Sequence, residues 1–320
     1  SNINDILIEC DGENQVAYSL NGLAFNTEEP SIVTFAFHLV DRYTETAIDF
    51  LNTGNLTDFV NVTENNLAIS ASESFLEIDQ LANLNAQYHT VFAIDISSSL
   101  SEEELSSIKN LITNAIIDTD TNESKLSTNQ FITLITFDSE IEVVVSQSQD
   151  PDVLLAALDN EGTNPPITIG GNSTNLNGAI KAGAEIWQNE ISLDGISYGN
   201  LILFTDGIDT SGVTTDQAAI DAVQNKELYV IALGEEADVN QLQQYTNKSN
   251  IFDLADFSEL EQVLTAAFER IKTYEDGLYV LSYATPKRAG SHTLTVTAKD
   301  DYNCTTAIND DESTELSTSG

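Results

Sequence analysis

The chain has 320 residues, of which 52 are acidic and 11 basic, for a formal net charge of −41. A field of that sign and size repels nucleic acid and anionic membrane surfaces and sets both aside as partners. Apolar residues make up 41% of the chain, enough to bury a real core, so this is not a disordered acidic tail. Before Lys109 the only basic residue is Arg42. Salt screens such a charge, since the Debye length falls to about 3 Å near 1 M, and the composition points to a saline extracellular setting. No run approaches the 18 or so apolar residues of a membrane-spanning helix.

Residues 1–87 read as short strands. The segment Ile32-Val33-Thr34-Phe35-Ala36-Phe37-His38-Leu39-Val40 is one, and Phe59-Val60-Asn61-Val62-Thr63 and Ser74-Phe75-Leu76-Glu77-Ile78 continue the style. Turn clusters at Asp11-Gly12-Glu13-Asn14 and Asn26-Thr27-Glu28-Glu29-Pro30 punctuate them. Strands at this spacing predict a β-sandwich.

From 88 to 275 the pattern changes to strand then helix, repeatedly. Thr90-Val91-Phe92-Ala93-Ile94 is a continuous apolar run of the doubly buried kind. Ser101 is placed to cap a helix, with Glu104 at the capping-box position and Leu105, Ile108, Leu111, Ile112 and Ile116 at helical spacing. Two strands, 131–137 and 141–145, flank the turn Asp138-Ser139-Glu140. Ala179 to Trp187 reads as a helix, 200–204 and 228–233 as strands, and Leu260 to Ile271 as a helix. Alternating β and α over this length predicts an α/β fold with a doubly wound, mostly parallel sheet.

Strands return at 278–283 and 292–297, too few to fold alone. The simplest arrangement has segment 276–305 complete the sandwich begun by 1–87, with the α/β domain inserted between. Residues 306–320, acidic and rich in Ser and Thr, read as a flexible tail or linker. Cys10 and Cys304 lie near opposite ends without any zinc-type spacing. They are expected to form a disulfide tying the two ends, in preference to two free thiols, which implies an oxidising compartment. The chain has no Met and starts Ser-Asn, the look of a portion of a longer or processed protein.

Three short segments share one chemistry. They are Asp95-Ile96-Ser97-Ser98-Ser99, then Thr174 in Gly170-Gly171-Asn172-Ser173-Thr174-Asn175-Leu176, then Asp206 in Leu203-Phe204-Thr205-Asp206-Gly207. Asp95 and Asp206 each follow a predicted strand, and Thr174 lies on a Gly-rich loop before a helix. In a doubly wound sheet, ligands bind at the carboxyl ends of strands, so all three can meet at one edge. Two carboxylates and three hydroxyls make an oxygen-only set suited to a hard divalent cation with one position left open.

With those residues in place, segment 88–275 resembles a von Willebrand factor type A domain and its metal-ion-dependent adhesion site. The Asp-x-Ser-x-Ser motif falls on Asp95, Ser97 and Ser99, the later Thr on Thr174 and the later Asp on Asp206. Thr174 is preferred to Ser173 because Thr174-Asn175-Leu176-x-x-Ala179-Ile180 matches the family better. Ser98 stands where Gly is frequent and Leu100 where Met is common, neither at a ligand position. The resemblance implies that these five residues hold the cation directly or through water. The cation is expected to be Mg²⁺, with Ca²⁺ or Mn²⁺ as alternatives, and its sixth position would take a carboxylate from a protein partner. It also implies that occupancy can couple to a shift of the last helix, here about 258–274, which leads straight into strand 278–284. The flanking segments resemble, more weakly, sandwich segments around this domain in secreted bacterial proteins.

Other features carry less. Asp209 and the acidic run Asp118-Thr119-Asp120-Thr121-Asn122-Glu123 read as solvated turns, as does Asp300-Asp301, since none has the spacing of a calcium loop. His38, His89 and His292 are scattered, and no nucleophile–base pair or phosphate loop stands out. The expected function is therefore adhesion or ligand binding, not catalysis. The module would be monomeric, secreted or displayed at a cell surface, and would bind an extracellular-matrix, host-surface or other cell-surface protein. The alternatives are a structural spacer whose metal only stabilises the fold and a metal-assisted hydrolase.

Overall fold

The computed structural model describes residues 18–28, 31–41, 60–80, 85–127, 129–159, 167–192, 195–233, 238–254, 259–285, 291–298 and 316–319. The chain forms two compact units, one of Ser1–Ala86, Glu190–Ile196 and Ile271–Gly320, the other of Gln87–Asn189 and Ser197–Arg270.

The chain opens with strands β1 (Tyr18–Glu28), β2 (Ile32–Asp41), β3 (Val60–Glu64) and β4 (Leu67–Ala68), one turn of helix α1 (Ala71–Ser74) and β5 (Glu77–Gln80). Next come β6 (Ala86–Asp95), α2 (Glu102–Ile116), the short pair β7 (Ile117–Asp118) and β8 (Glu123–Ser124), β9 (Gln130–Phe137) and β10 (Ile141–Ser148). Helices α3 (Pro151–Leu158) and α4 (Leu176–Ala184) precede β11 (Glu190–Ser192) and β12 (Gly195–Thr205). Then α5 (Asp216–Val223), β13 (Glu227–Leu233), α6 (Val239–Leu242), β14 (Ile251–Leu254) and α7 (Leu260–Asp276) follow. The chain closes with β15 (Leu278–Ala284), β16 (Ser291–Ala298) and β17 (Leu316–Ser319).

The second unit is built on a sheet of order β10-β9-β6-β12-β13-β14. β6 runs parallel to β9, and β12, β13 and β14 are parallel to one another, whereas β10 returns antiparallel to β9 across the 138–140 turn. Helices cover both faces of such a sheet, which is why its strands are continuous apolar runs. Val91 to Ile94, Leu201 to Phe204 and Leu228 to Leu233 are all buried. The capping box at the start of α2 is present: Ser101 Oγ accepts the Glu104 N–H and Glu104 accepts the Ser101 N–H. That cap and the buried stripe Leu105, Ile108, Ile112 and Ile116 fix the helix directly after the Asp95 loop.

The first unit contains two four-stranded antiparallel sheets, β1-β2-β15-β5 and β17-β16-β3-β4, each mixing N- and C-terminal strands. β15 lies between β2 and β5, with Leu281 opposite both Phe35 and Ile78. β16 pairs with β3, placing Val296 opposite Val62. Phe35, Phe37, Leu39, Ile78, Tyr279 and Leu281 from one sheet pack with Val62, Leu294 and Val296 from the other, so the two sheets share one core as in a sandwich.

Three expectations change. Segment 74–78 is not a single strand: Ser70 Oγ accepts the Glu73 N–H and caps α1, and Phe75 ends it in the left-handed region at φ 51° before β5 begins. The helix expected to reach Trp187 stops at Ala184, and Trp187 lies beyond it, buried, its indole N–H donating to Asn189 Oδ1 at 3.0 Å. Within the expected tail, Leu316–Ser319 is a strand whose backbone pairs antiparallel with β16, Leu294 opposite Leu316. Cys10, Cys304 and the turn at 11–14 lie outside the described residues. Among the described residues no helix is long and apolar enough to cross a membrane.

Candidate metal centre

Asp95 is the last residue of β6, and Asp206 follows directly on β12, its neighbour in the sheet. Asp95 is fully buried. Its Oδ1 accepts the Ser97 N–H and its Oδ2 accepts the Thr205 hydroxyl, each at 2.9 Å. Burial pushes its carboxyl up, the bonds from Ser97 and Thr205 pull it down, the charge of Asp206 pushes it up again, and the balance is about 6. A carboxylate buried beside a second carboxylate is the setting that a cation relieves.

Two further candidates stand on the same loop. Ser97 is buried and Ser99 exposed, and their hydroxyls lie 2.9 Å apart, so this pair leads from the buried carboxylate towards the surface.

The 167–175 loop is laced onto that loop. Gly170 N–H donates to the Ile96 carbonyl at 2.7 Å, Ser98 N–H to the Gly171 carbonyl at 2.8 Å, and Ser98 Oγ to Asn172 Oδ1 at 2.5 Å. Thr174, 6% exposed, is held in turn by the loop after Asp206. Its N–H donates to Thr210 Oγ1 at 2.8 Å, and its carbonyl accepts from Thr210 N–H at 2.9 Å and Ser211 N–H at 3.1 Å. Asn175 then caps α4, its side chain accepting the Gly178 N–H at 3.1 Å. The loops bearing Asp95, Ser97 and Ser99, Thr174, and Asp206 thus meet at one edge of the sheet.

Asp209, expected as a solvated loop carboxylate, instead accepts the N–H groups of Asn177 at 3.2 Å and Gly212 at 2.9 Å. Behind it the buried Asn177 donates to Asp216 Oδ1 at 2.8 Å and accepts the Tyr245 hydroxyl at 2.6 Å. Burial first, then the charges of Asp216 and Asp209, push the Tyr245 phenol well above its usual range, so it stays a donor. By contrast the acidic run at 118–123 is a turn closed on itself, Asp118 Oδ1 accepting from Asp120 and Thr121 N–H.

Four residues at this edge were not singled out in the sequence: Thr205, Thr210, Asn175 and Asp138. Asp138 follows directly on the parallel strand β9 just as Asp206 follows on β12, and that position was the available signal. Partial burial works against ionisation of Asp138. The N–H groups of Glu140 and Gly171, with Ser139, outweigh it and hold the carboxyl below the usual range.

The donor chemistry fits a hard cation. Among the described residues no three His, Cys, Asp or Glu side chains cluster as a metal site. Two carboxylates complemented by hydroxyls are instead an oxygen-only set, the kind Mg²⁺ and Ca²⁺ take.

The family model for the von Willebrand factor type A domain matches residues 90–266, more than half of the chain, and the chain belongs to that family. Membership places it among domains that are mostly binding modules. Solved structures of proximal thread matrix protein 1 from the mussel byssus are similar to it. One crystal form is 15% identical with a TM-score of 0.49, covering 59% of this chain and 49% of that one. A second is 12% identical with a TM-score of 0.48, covering 66% and 51%. A structure of the same mussel protein with a zinc occupied MIDAS motif is 15% identical with a TM-score of 0.46, covering 59% and 48%. The chain spans about half the length of these structures. No curated protein matches it.

Proposed function

We propose that this chain is a divalent-metal-dependent adhesion module of a secreted or cell-surface protein, acting as a monomeric unit that binds a carboxylate of a protein partner. Asp95, Ser97, Ser99, Thr174 and Asp206 would hold the cation, with Mg²⁺ as the resident metal. When bound, the cation supplies a localised positive charge and an open position for one carboxylate oxygen of the partner. The observation that carries this reading is the buried Asp95, placed against Thr205 and Asp206 at the edge where three hydroxyl-bearing loops converge.

The surroundings favour binding over catalysis. Segments 96–101, 138–140, 167–175 and 206–215 contain no His, Lys or Arg to serve as a general base or to attract an anion. His89, the one histidine between residues 87 and 270, precedes Asp95 by six residues on β6, about 20 Å along the strand. An acidic partner would therefore be drawn to the cation alone. Around it, Ile208 and Val213 on the loop after Asp206 are exposed and offer apolar contact. A crystal grown with Mn²⁺ and acetate tests the reading. The expected result is one anomalous peak among the five residues with an acetate oxygen on it; a peak elsewhere, or none, would contradict it.

A further inference from the structure

We propose that Asp138 is a positioning residue of the metal site: its carboxylate and carbonyl hold the two ends of segment 171–175 and so set where Thr174 stands. The proposal rests on the metal-site reading above. Asp138 Oδ2 accepts the Gly171 N–H at 2.6 Å, and its carbonyl accepts the Asn175 N–H at 2.6 Å. Thr174 lies between these two anchored amides. The anchor is itself braced, because Asp138 N–H donates to the Glu140 carbonyl at 3.0 Å and Asp138 Oδ1 accepts the Glu140 N–H at 2.9 Å. Each carboxylate oxygen thereby accepts a backbone N–H, which ties the side chain to both loops.

The clamp reaches further than one loop. The Gly171 carbonyl accepts the Ser98 N–H at 2.8 Å, so the peptide units around Gly171 join Asp138 to the loop that carries Ser97 and Ser99. The residue before it, Gly170, leaves room for the carboxylate. A Cβ on Gly170 would stand 2.4 Å from Asp138 Oδ2, and the carboxylate could remain on the Gly171 N–H only by displacing the loop. Gly170 and Asp138 are therefore two halves of one contact, 32 residues apart in the chain.

Outer partners of metal ligands typically control metal affinity by about 10–100-fold. Calorimetric titration of Mg²⁺ into the metal-stripped chain tests whether Asp138 does so. Asp138→Ala is expected to weaken binding by about 10-fold or more, while Asp138→Asn, whose single amide oxygen can stay on the Gly171 N–H only by giving up the Glu140 N–H, loses less. Gly170→Ala should reproduce the loss, and the double variant Asp138→Ala with Gly170→Ala should lose no more than the larger single one, since both break the same contact. Amide hydrogen exchange in the metal-free proteins gives a readout independent of the cation: Gly171 exchanges faster in Asp138→Ala and Gly170→Ala, and less so in Asp138→Asn, while Asn175, whose N–H donates to the main-chain carbonyl, serves as the internal control. Undiminished Mg²⁺ binding by Asp138→Ala overturns the proposal. Equal losses in Asp138→Ala and Asp138→Asn with Gly171 exchange unchanged in both overturn it too, because charge rather than position would then be responsible. Absence of Mg²⁺ binding by the unmodified chain would overturn the metal reading itself, and this proposal with it.

Discussion

The two units each bury a carboxylate, and they treat it in opposite ways. In the sandwich, Glu64 is 3% exposed, and its oxygens accept the Tyr283 hydroxyl at 3.3 Å and the Thr285 hydroxyl at 2.8 Å. These partners are neutral and come from the strand paired into the other sheet and the residue just past it. Burial, together with the Glu64 charge and hydrogen bond, pushes the Tyr283 phenol well above its usual range, so it remains a donor. In the α/β unit, Asp95 has one backbone N–H and one hydroxyl, and its charged neighbour is another carboxylate, Asp206. Burial of a carboxylate is therefore not in itself the mark of a metal site. The mark is the second carboxylate: Glu64 has only neutral donors beside it, whereas Asp95 stands beside Asp206, a pair that a cation from outside relieves.

Replacing each carboxylate in turn separates the two cases. Asp95→Asn should weaken Mg²⁺ binding by about 100-fold or more, above the range seen for outer partners. It should also leave the metal-free melting temperature unchanged or raise it. The sign follows from the folded-state carboxyl value of about 6, above the ordinary one, which means that ionised Asp95 destabilises the metal-free fold at neutral pH. A large drop in the metal-free melting temperature would show Asp95 to be satisfied by the protein, as Glu64 is.

Glu64→Ala should do the reverse. It leaves the buried Tyr283 hydroxyl without its acceptor and should destabilise the sandwich by about 1–3 kcal/mol, read as a lower melting temperature with Mg²⁺ affinity unchanged. Loss of Mg²⁺ binding in this variant would erase the distinction between the two sites.

Thr174→Val removes the hydroxyl but keeps the backbone that Thr210 and Ser211 hold, whereas Thr174→Ser keeps both. The first should lower Mg²⁺ affinity by about 10-fold and the second by much less. Equal affinities in the two variants would remove Thr174 from the site.

The smallest effect concerns pH. His89 is buried and stacked on Phe131 at 5.2 Å, and burial lowers its imidazole from the ordinary value. The folded state thus favours the neutral ring. Its contribution is present above the unfolded value near 6.5 and is lost as pH falls below that value, where the unfolded chain takes up the proton first. Melting temperatures measured between pH 7 and 5 should fall more steeply for the unmodified chain than for His89→Phe; parallel slopes would show that His89 titrates freely.

What the sequence disclosed depended on how local the cause was. The α2 capping box needs only Ser101 and Glu104, three residues apart, and was visible at once. The continuous apolar runs of β6, β12 and β13 identified a sheet buried on both faces before any pairing was known. The strand expected at 74–78 was misread because Ser70 caps a helical turn that ends in a left-handed Phe75, leaving that side chain 74% exposed. The helix was expected to run to Trp187, yet α4 had already ended at Ala184. In the site, the motif spacing picked out Asp95, Ser97, Ser99, Thr174 and Asp206 as candidates, while the residues that tie their loops together went unseen. Asp138 meets Gly171 across 33 positions and Thr210 meets Thr174 across 36, distances over which no local pattern carries information.

The central claim is that Asp95 and Asp206 form one cation site together with the hydroxyls of Ser97, Ser99 and Thr174. Calorimetric titration of Mg²⁺ into the metal-stripped chain, with Asp206→Ala in parallel, tests it most directly. One saturable site in the unmodified chain, lost in Asp206→Ala, is the predicted result. No saturable binding, or the same binding in both proteins, would contradict it.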